Sequence, residues 1–424
     1  MCAGSPSRSF CIMKIMRFRT LFAKFKKKGL LSILNIGFLI CGIGFALTTF
    51  YIVAHGQVVS SRLSSSMKQA SQSQNLLQKI TLSFEDTKAE LTRLKNEDQY
   101  QINQKLGLEI KNIQKSYSHT VKTYEALLDL QDLTKKTDAL EKQFASALTL
   151  LSNRDYAKAD TLLLELDKKI SDERAKIASA FTIPENVSSN NAPPGSGYRR
   201  QKVDTPVGSY LVDIIAADLN SARVIVDTAS DGTCGNDCPV MSLGSYASRS
   251  GAFAGINGPY FCPAAYPSCA GKANSFDTLL MNKNKVYFNS ENNVYSSVPA
   301  VIFSGNSARF VGASSGWGRD TGVDSVIASQ PLLMSNGQRV YGGDGEPKRS
   351  GKGSRSFIGS TGSTVYIGVV HNASVAEVAY VLETLGVSSA LNLDSGGSTA
   401  LWSGGRYLVG PGRDTPFGIL LVGN

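Results

Sequence analysis

Apolar residues form one long uninterrupted run near the N-terminus of this 424-residue chain. Residues 29–54 are 26 positions without a charged side chain. At about 1.5 Å per helical residue, such a run crosses a hydrocarbon core of about 30 Å. It therefore predicts a transmembrane helix. A cleaved signal peptide is the alternative, but its apolar core would be shorter, and no small-residue cleavage site closes this run.

The pattern changes to helical spacing of apolar residues over 58–182, a segment that is poor in Gly and rich in Leu, Lys, Glu, Gln and Ala. This spacing predicts two or three long helices that form a stalk, either as an antiparallel hairpin or as a coiled coil. Asp155 follows the clearest break and is expected to cap a helix that runs to about Ile177. A homo-oligomer through the stalk stays open, because the periodicity does not define a strand number.

Residues 183–197 are rich in Pro, Ser, Asn and Gly, and predict a linker. From about residue 198, short alternating runs predict strands at 210–215, 223–227, 298–303, 325–328, 364–370 and 419–422. Residues 374–385 predict a helix with Ser374 and Glu377 as its capping box. The expected fold is an α+β C-terminal domain (198–424) with a mixed sheet and few helices, preceded by one transmembrane helix and an all-α helical stalk.

The net charge of +10 is unevenly distributed along the chain. Residues 1–57 hold eight Lys or Arg and no acidic residue, whereas 183–424 hold 17 of each sign. A neutral C-terminal domain gives no electrostatic footprint for nucleic acid, so no nucleic-acid partner is expected. Basic residues directly before the apolar run predict a cytoplasmic tail over 1–28 and an extracellular C-terminal domain on the cell membrane.

Four of the seven cysteines lie in the C-terminal domain, as two local pairs. Outside the cytoplasm, this grouping predicts two short disulfide loops, Cys234–Cys238 and Cys262–Cys269. A zinc site with four thiolates is the alternative, although the gaps within each pair are wider than usual for zinc ligands. No other cluster of His, Cys and carboxylates has ligand spacing, so neither a metal nor a cofactor is expected.

The densest group of polar and flexible residues is Leu-Asn-Leu-Asp-Ser-Gly-Gly-Ser-Thr-Ala-Leu over 391–401. An apolar run leads into Asp394, and two glycines and two hydroxyl residues follow. Glycine allows the backbone to approach a ligand closely, and the hydroxyl groups add donors. The loop is therefore a candidate cradle for an anionic oxygen beside a general base or nucleophile. A common Gly-Gly-Ser turn is the structural alternative.

Four further motifs accompany this loop in a fixed order. Residues 257–261 read Asn-Gly-Pro-Tyr-Phe, 330–333 read Gln-Pro-Leu-Leu, 355–359 run from Arg355 to Gly359, and Arg413 precedes the last strand. Together with Asn-Leu-Asp-Ser-Gly-Gly-Ser at 392–398, they resemble the phosphodiester glycosidase family over about 200–424. The sequence departs from the family pattern at three places. Pro259 and Ser395 stand where glycines are usual, and His371-Asn372 stands where Asp-Gly is common.

The resemblance implies hydrolysis of a sugar-1-phosphodiester, with a phosphosugar or glycan as substrate. Asp394 would be the nucleophile or general base, and Arg355 and Arg413 a phosphate clamp. Apart from the resemblance, His371 is either an ordinary loop residue or a proton-transfer group, since histidine can exchange a proton near neutral pH. The residues expected to bind substrate are Asn257, Gly258, Gly396, Gly397, Ser398, Thr399 and Arg413. Plausible substrates outside the cell are phosphodiester-linked sugars of cell-wall polymers or exopolysaccharides.

Two alternative functions remain open at this stage. The departures at Pro259 and Ser395 favour a carbohydrate-binding or scaffold protein of the cell envelope that kept the fold and lost turnover. A second alternative makes the stalk the functional part, with the C-terminal domain as a sensor. Release of sugar from a sugar-1-phosphodiester separates the enzyme from both.

Overall fold

The computed structural model describes residues 30–289, 297–318, 320 and 322–424, so the expected basic tail over 1–28 lies outside the described residues. Contacts divide the chain into two compact units, Met1–Lys105 and Leu106–Asn424. The first unit holds helix α1 (Leu30–Lys95) and the start of helix α2 (Asp98–Gln131). Within the described residues, α1 alone is long and apolar enough to cross a membrane. It continues without a break into the segment predicted to be a stalk.

The second unit begins with three helices that pack against one another. The rest of α2 packs with α3 (Asp138–Ser152) and α4 (Tyr156–Ala180). They share a core that includes Leu127, Leu130, Phe144, Leu163, Leu166 and Ile170. Asp155 caps α4, as predicted, by accepting a hydrogen bond from the Lys158 amide at 3.3 Å. Across the bundle, His119 and Thr123 of α2 both hydrogen-bond to Asp167 of α4.

The described part of the remaining chain forms a β-rich domain of three sheets with three short α-helices. The helices are α5 (Leu243–Ser250), α6 (Pro347–Ser350) and α7 (Val375–Thr384). The strands are β1 Gly197–Thr205, β2 Gly208–Asp218, β3 Ala222–Thr228, β4 Ala254–Asn257, β5 Leu280–Met281, β6 Tyr287–Phe288, β7 Ala300–Ser304, β8 Ser307–Val311, β9 Ser325–Ala328, β10 Leu332–Ser335, β11 Gln338–Arg339, β12 Gly353–Thr361, β13 Thr364–Ala373, β14 Ser389–Asn392, β15 Leu401–Ser403, β16 Arg406–Val409 and β17 Phe417–Gly423. All six runs predicted as strands fall on strands.

The sheets are antiparallel, which corrects the expectation of a mixed sheet. The strand orders are β1-β2-β13-β12-β14-β10-β11, β16-β15-β4-β17-β3 and β6-β5-β9-β7-β8. The predicted strand–helix–strand unit exists as β13, α7 and β14, and Ser374 and Glu377 form the predicted capping box. However, β12 lies between the two strands and pairs antiparallel with each. The crossover through α7 therefore creates no parallel pair.

The two largest apolar cores of this domain lie on either side of its first sheet. One core collects side chains from all three sheets, such as Ile256, Ile358 and Val301. The other core packs α7 against the opposite face of the first sheet, with Phe357 and Val378 among its members. The first sheet is thus covered on both faces. The ends of β4, β12 and β14 meet where Asn257, Arg355 and Asn392 stand, and these strand ends position the site described next.

Candidate active site

The loop that follows β14 is built to hold Asp394 in one conformation. Asp394 donates its backbone N–H to the Gly258 carbonyl at 3.2 Å, and its carboxylate accepts from the Ser395 N–H at 2.8 Å. Gly396 has φ +66°, a left-handed conformation that disfavours residues with a Cβ. Gly396–Ser398 then form one 3-10 turn, and the buried Ser398 hydroxyl hydrogen-bonds the Asp394 carboxylate.

Asn257 fastens this loop to the sheets from inside. Its side chain is 1% exposed and donates to the Asp394 carbonyl at 2.7 Å. Its Oδ1 accepts from the Ser356 hydroxyl at 2.8 Å and from the Ala400 N–H at 3.1 Å. The donors and the acceptor of the Asn257 side-chain amide are therefore all occupied by protein groups. Gly258 is also buried, because the Phe417 ring lies where a Cβ would project.

The electrostatics of Asp394 differ from those of an ordinary surface carboxylate. Burial raises its pKa to about 6, and the nearby Asp277 adds to the increase. Hydrogen bonds from Ser398 and Ser395, together with the charge of Arg413, act in the opposite direction without cancelling it. A pKa in this range suits a group that must exchange a proton or attack near neutral pH.

Arg413 lies directly against the glycine loop. Its N–H donates to the Gly397 carbonyl at 2.7 Å, and its guanidinium Nη2 lies 2.1 Å from the point where a Cβ on residue 397 would stand. Any larger residue at 397 would displace the guanidinium. The carboxylate of Asp132, the residue directly after helix α2, reaches the same point and accepts from Arg413 Nη2 at 2.8 Å. An anionic oxygen thus already sits where the sequence predicted an anion cradle.

Two more acidic residues of α2 contact the domain beside Asp132. Asp129 accepts a short hydrogen bond from the Tyr266 hydroxyl, and the 7%-exposed Glu125 accepts from the Ser268 N–H at 3.1 Å. The Arg413 guanidinium lies 5.3 Å from the centre of the Tyr266 ring. The spacing 125, 129 and 132 puts the three acids on one helix face. This acidic face of α2 therefore forms one wall of the site, a wall that the motifs did not predict.

A groove of about 470 Å³ opens between this wall and the loop of residues 262–269. Lys135 and Gln131 line it from the helical side, and Phe261, Tyr266 and Arg413 line it from the β-domain. The loop is closed by the Cys262–Cys269 disulfide, and Cys234–Cys238 forms the second bridge, as predicted. Within the described ranges, no group of three or more His, Cys, Asp or Glu side chains is arranged to hold a metal ion.

Arg355 points toward the same region but is largely occupied by backbone. Its side chain is 8% exposed, Nε donates to the Ala373 carbonyl at 3.1 Å, and Nη2 donates to the carbonyls of Lys348 and Gly351. Burial lowers the pKa of Arg355. Only Nη1 has no hydrogen-bond partner among the described residues, so Arg355 can offer a ligand the two N–H groups of one nitrogen and not the grip by two nitrogens expected from the sequence.

His371 belongs to a separate group on the first sheet. Its Nε2 lies 2.7 Å from Asp213, which also accepts from Tyr198 and twice from Arg200. Its Nδ1 lies 3.4 Å from the Ser354 hydroxyl, and Phe181 stacks on the ring. The structure thus brings Asp394, Gly396, Gly397, Ser398 and Arg413 together, but records no contact between His371 and that group. Thr399 links the two groups by donating to the Ser354 carbonyl at 3.3 Å.

Two of the three departures from the family pattern fit the backbone without strain. Ser395 has φ −143° and ψ −171°, an extended conformation open to any residue. Asn372, which stands where the family commonly has glycine, has φ +51°. Asn is among the non-glycine residues that most readily adopt this left-handed conformation. The backbone at these positions therefore gives no reason for loss of the site.

Residues 250–422 match the model of the phosphodiester glycosidase family. No curated protein matches the sequence. The catalytic domain of zebrafish N-acetylglucosamine-1-phosphodiester alpha-N-acetylglucosaminidase, auto-inhibited by its pro-peptide, is 14% identical, with 55% of this chain and 85% of that chain covered and a TM-score of 0.42. A protein from Synechocystis is 14% identical (53% and 61% covered, TM-score 0.37). A Burkholderia pseudomallei protein described as exported is 13% identical (50% and 74%, TM-score 0.33).

The match over residues 250–422 supports a glycosidase that acts on phosphodiesters for this part of the chain, which favours a hydrolase with a glycan-type substrate. The resemblance predicted from the motifs, to the phosphodiester glycosidase family, is confirmed. All five motifs that carried the resemblance lie inside the matched residues. The apolar helix and the disulfides indicate a secreted or membrane-anchored protein.

Proposed function

We propose that this chain is a membrane-anchored hydrolase that cleaves sugar-1-phosphodiester linkages in cell-wall or exopolysaccharide glycans. The observation that carries the proposal is a carboxyl group of raised pKa, Asp394, in a loop that also holds the Arg413 guanidinium. The anomeric carbon and the phosphate are neighbours in such a substrate. A carboxylate for the carbon beside a cation for the phosphate is the pairing that its hydrolysis needs.

In this reaction the bond between the anomeric carbon and the phosphate oxygen breaks, and the electron pair leaves with the phosphate. Asp394 either adds to the anomeric carbon and is later displaced by water, or takes a proton from the attacking water. Both roles require the ionised carboxylate, which predominates above its pKa of about 6. The departing phosphate monoester is a weak base, so it needs charge stabilisation more than protonation.

The remaining residues take their roles from their contacts. Arg413 is the phosphate ligand, because its guanidinium covers Gly397 and carries a counter-ion that substrate can replace. Arg355 contributes Nη1 and fixes the backbone of 348–351. Ser398 orients the Asp394 carboxylate. Asn257 acts by positioning the loop, since its amide is already fully hydrogen-bonded.

The N-terminal segment and the cysteines support a location of the C-terminal domain outside the cell membrane. The charge-free run over 29–54 follows eight basic residues, which favours a cytoplasmic N-terminus and an extracellular C-terminal domain. Disulfides persist in oxidising compartments, which favours the same orientation. External protease added to intact cells should remove the C-terminal domain and leave an N-terminal tag protected. A protected C-terminal domain would reverse the assignment.

An envelope protein that binds glycans without turnover is the second candidate. The observation that favours it is Asp132, because this carboxylate already pairs with Arg413 at 2.8 Å and lies over Gly397. Such a protein would bind a sugar phosphate without cleaving its diesters.

The experiment uses the full chain in detergent, because α2 forms a wall of the site. It is incubated with a panel of synthetic sugar-1-phosphodiesters, and released reducing sugar is measured. We expect release from at least one member of the panel, at a rate that Asp394→Asn lowers by about 10²-fold or more. Binding of a sugar 1-phosphate with no release from any diester would favour the glycan-binding candidate.

A further inference from the structure

Tyr260 stands beside Asp394, although no role was expected for it from the sequence. It follows the buried segment Asn257-Gly258-Pro259, in which two residues hydrogen-bond directly to Asp394. The side chain of Tyr260 is only partly exposed. Its phenol interacts electrostatically with Asp394, Arg355 and Arg349, so it lies among the charged groups of the site.

The hydrogen bonding around Tyr260 determines which way its proton points. The Nδ2 atom of the fully buried Asn392 lies 2.6 Å from Tyr260 Oη, 2.9 Å from the Leu393 carbonyl and 3.2 Å from the Gln330 carbonyl. Carbonyl oxygens only accept, so this end of the amide must be the nitrogen. Tyr260 Oη therefore accepts from Asn392, and its own proton is directed elsewhere.

That proton has no acceptor among the residues that the structure describes. The phenol also keeps it at every physiological pH, because burial raises the pKa of Tyr260 and Asp394 raises it further. A protonated hydroxyl that is held at its oxygen and unused at its hydrogen is a preorganised donor. Two of the charged groups that interact with it, Asp394 and Arg355, face the substrate in the proposed function.

We propose that Tyr260 is a catalytic residue that donates a hydrogen bond to a phosphate oxygen of the substrate, with Asn392 as its positioning residue. The inference rests on the proposed function. When the bond to the anomeric carbon breaks, its electron pair moves to the phosphate, whose charge grows from −1 toward −2. Tyr260 strengthens its hydrogen bond to that oxygen and keeps its proton, so no proton transfer is required.

If the Tyr260 hydroxyl had a purely structural role, its removal would destabilise the fold. Without Tyr260 Oη, the Asn392 Nδ2 still has two carbonyl acceptors for its two hydrogens. Tyr260→Phe should therefore leave the fold intact, since no buried donor loses its last partner. Tyr366→Phe is the matched control. Tyr366 is also buried with a raised pKa, but it packs in the core beneath α7.

The test compares the full-length wild type, Tyr260→Phe and Tyr366→Phe on a sugar-1-phosphodiester that the wild type cleaves. We expect Tyr260→Phe to lower kcat by about 10–10³-fold, more than it changes KM, because the donor meets its full charge only in the transition state. Its melting temperature should shift no more than that of Tyr366→Phe. A kcat for Tyr260→Phe within about twofold of the control would overturn the proposal.

A second readout separates this inference from the proposed function. Glucose 1-phosphate is titrated calorimetrically into the same three proteins. If the wild type binds it but cleaves no diester, the proposed function fails, and a weaker affinity for Tyr260→Phe than for Tyr366→Phe still supports the donor role. Equal affinities would overturn that role. A wild type that neither cleaves nor binds would overturn both.

Discussion

Two aspartates of the β-domain, the fully buried Asp213 and the partly exposed Asp394, have opposite electrostatics. Asp213 is completely buried, and burial alone would raise its pKa. Hydrogen bonds from His371, Arg200 and Tyr198 outweigh that effect and lower its pKa to about 2. Asp394 also loses water, but its hydrogen bonds do not compensate, so its pKa rises to about 6. A carboxylate whose loss of hydration is fully compensated by hydrogen bonds is typical of a structural ion pair. A carboxylate whose loss of hydration is not compensated is typical of a functional site.

The largest expected difference between the two aspartates is in turnover. Asp394→Asn should lower kcat on a sugar-1-phosphodiester by about 10²–10⁴-fold per folded molecule, because the reacting carboxylate is lost. Asp213→Asn should instead lower the free energy of unfolding by about 2–3 kcal/mol, since the charge of Arg200 loses its partner. Its turnover per folded molecule should stay within about threefold of wild type. A large kcat loss in Asp213→Asn would give His371 the catalytic role predicted from sequence.

Substitution of Arg355, like that of Asp213, is expected to destabilise the fold. Arg355→Lys keeps the charge but removes the guanidinium that serves three backbone carbonyls, so it should cost about 2–3 kcal/mol of unfolding free energy. Urea unfolding measures this. Arg309→Lys is the control, because Arg309 also donates to two carbonyls but at 3.3–3.4 Å near the surface. Equal stability of the two variants would contradict the account.

The stability of the two carboxylate variants should depend on pH with opposite sign. The folded-state pKa of Asp394 is raised, so its stabilising contribution is present below about pH 4 and is lost as pH rises through 6. Asp394→Asn should thus stabilise the protein by about 1–3 kcal/mol at pH 7.5 and by little at pH 4. The depressed pKa of Asp213 gives stability above about pH 4 that is lost as pH falls toward 2. Thermal unfolding of both variants at several pH values measures the two changes in stability relative to wild type. Changes that depend on pH in the same direction for both variants would disprove the prediction.

The smallest expected effect concerns the counter-ion of Arg413. The side chains of Asp132 and Arg413 are 40% and 23% exposed, so their ion pair is worth about 1 kcal/mol or less. Asp132→Asn should lower KM by about two- to fivefold, because substrate phosphate no longer competes with a carboxylate. Asp172→Asn, an exposed acid of α4 with no ion pair among the described residues, should leave KM unchanged. A higher KM for Asp132→Asn would mean that Asp132 binds substrate and does not compete with it.

Local features of this fold could be predicted from the sequence, and long-range features could not. The capping box of Ser374 and Glu377 and the cap at Asp155 depend on residues three positions apart, so both were confirmed. The insertion of β12 between β13 and β14 depends on pairing across the chain, and no local pattern distinguishes it from a parallel neighbour. The prediction of a mixed sheet failed for this reason.

The same limit applies to the candidate site. The loop at Asp394 could be found because Asp, Gly and Ser stand together in sequence. Asp132 could not, since it meets Arg413 across 281 positions and directly follows a helix that looks like a spacer. The role of Arg355 was only partly foreseen, because its partners are backbone carbonyls, which carry no residue-specific signal.

The central claim is that Asp394 reacts as a carboxylate held at a raised pKa. The most direct test is the pH dependence of kcat/KM for the full-length wild type on a sugar-1-phosphodiester between pH 4 and 8, because kcat/KM reports the ionisation of the free enzyme. The account predicts a rate that rises with pH through a single ionisation near 6, with no such rise in the residual activity of Asp394→Asn. A rate that is flat through pH 6, or that falls there, would contradict it.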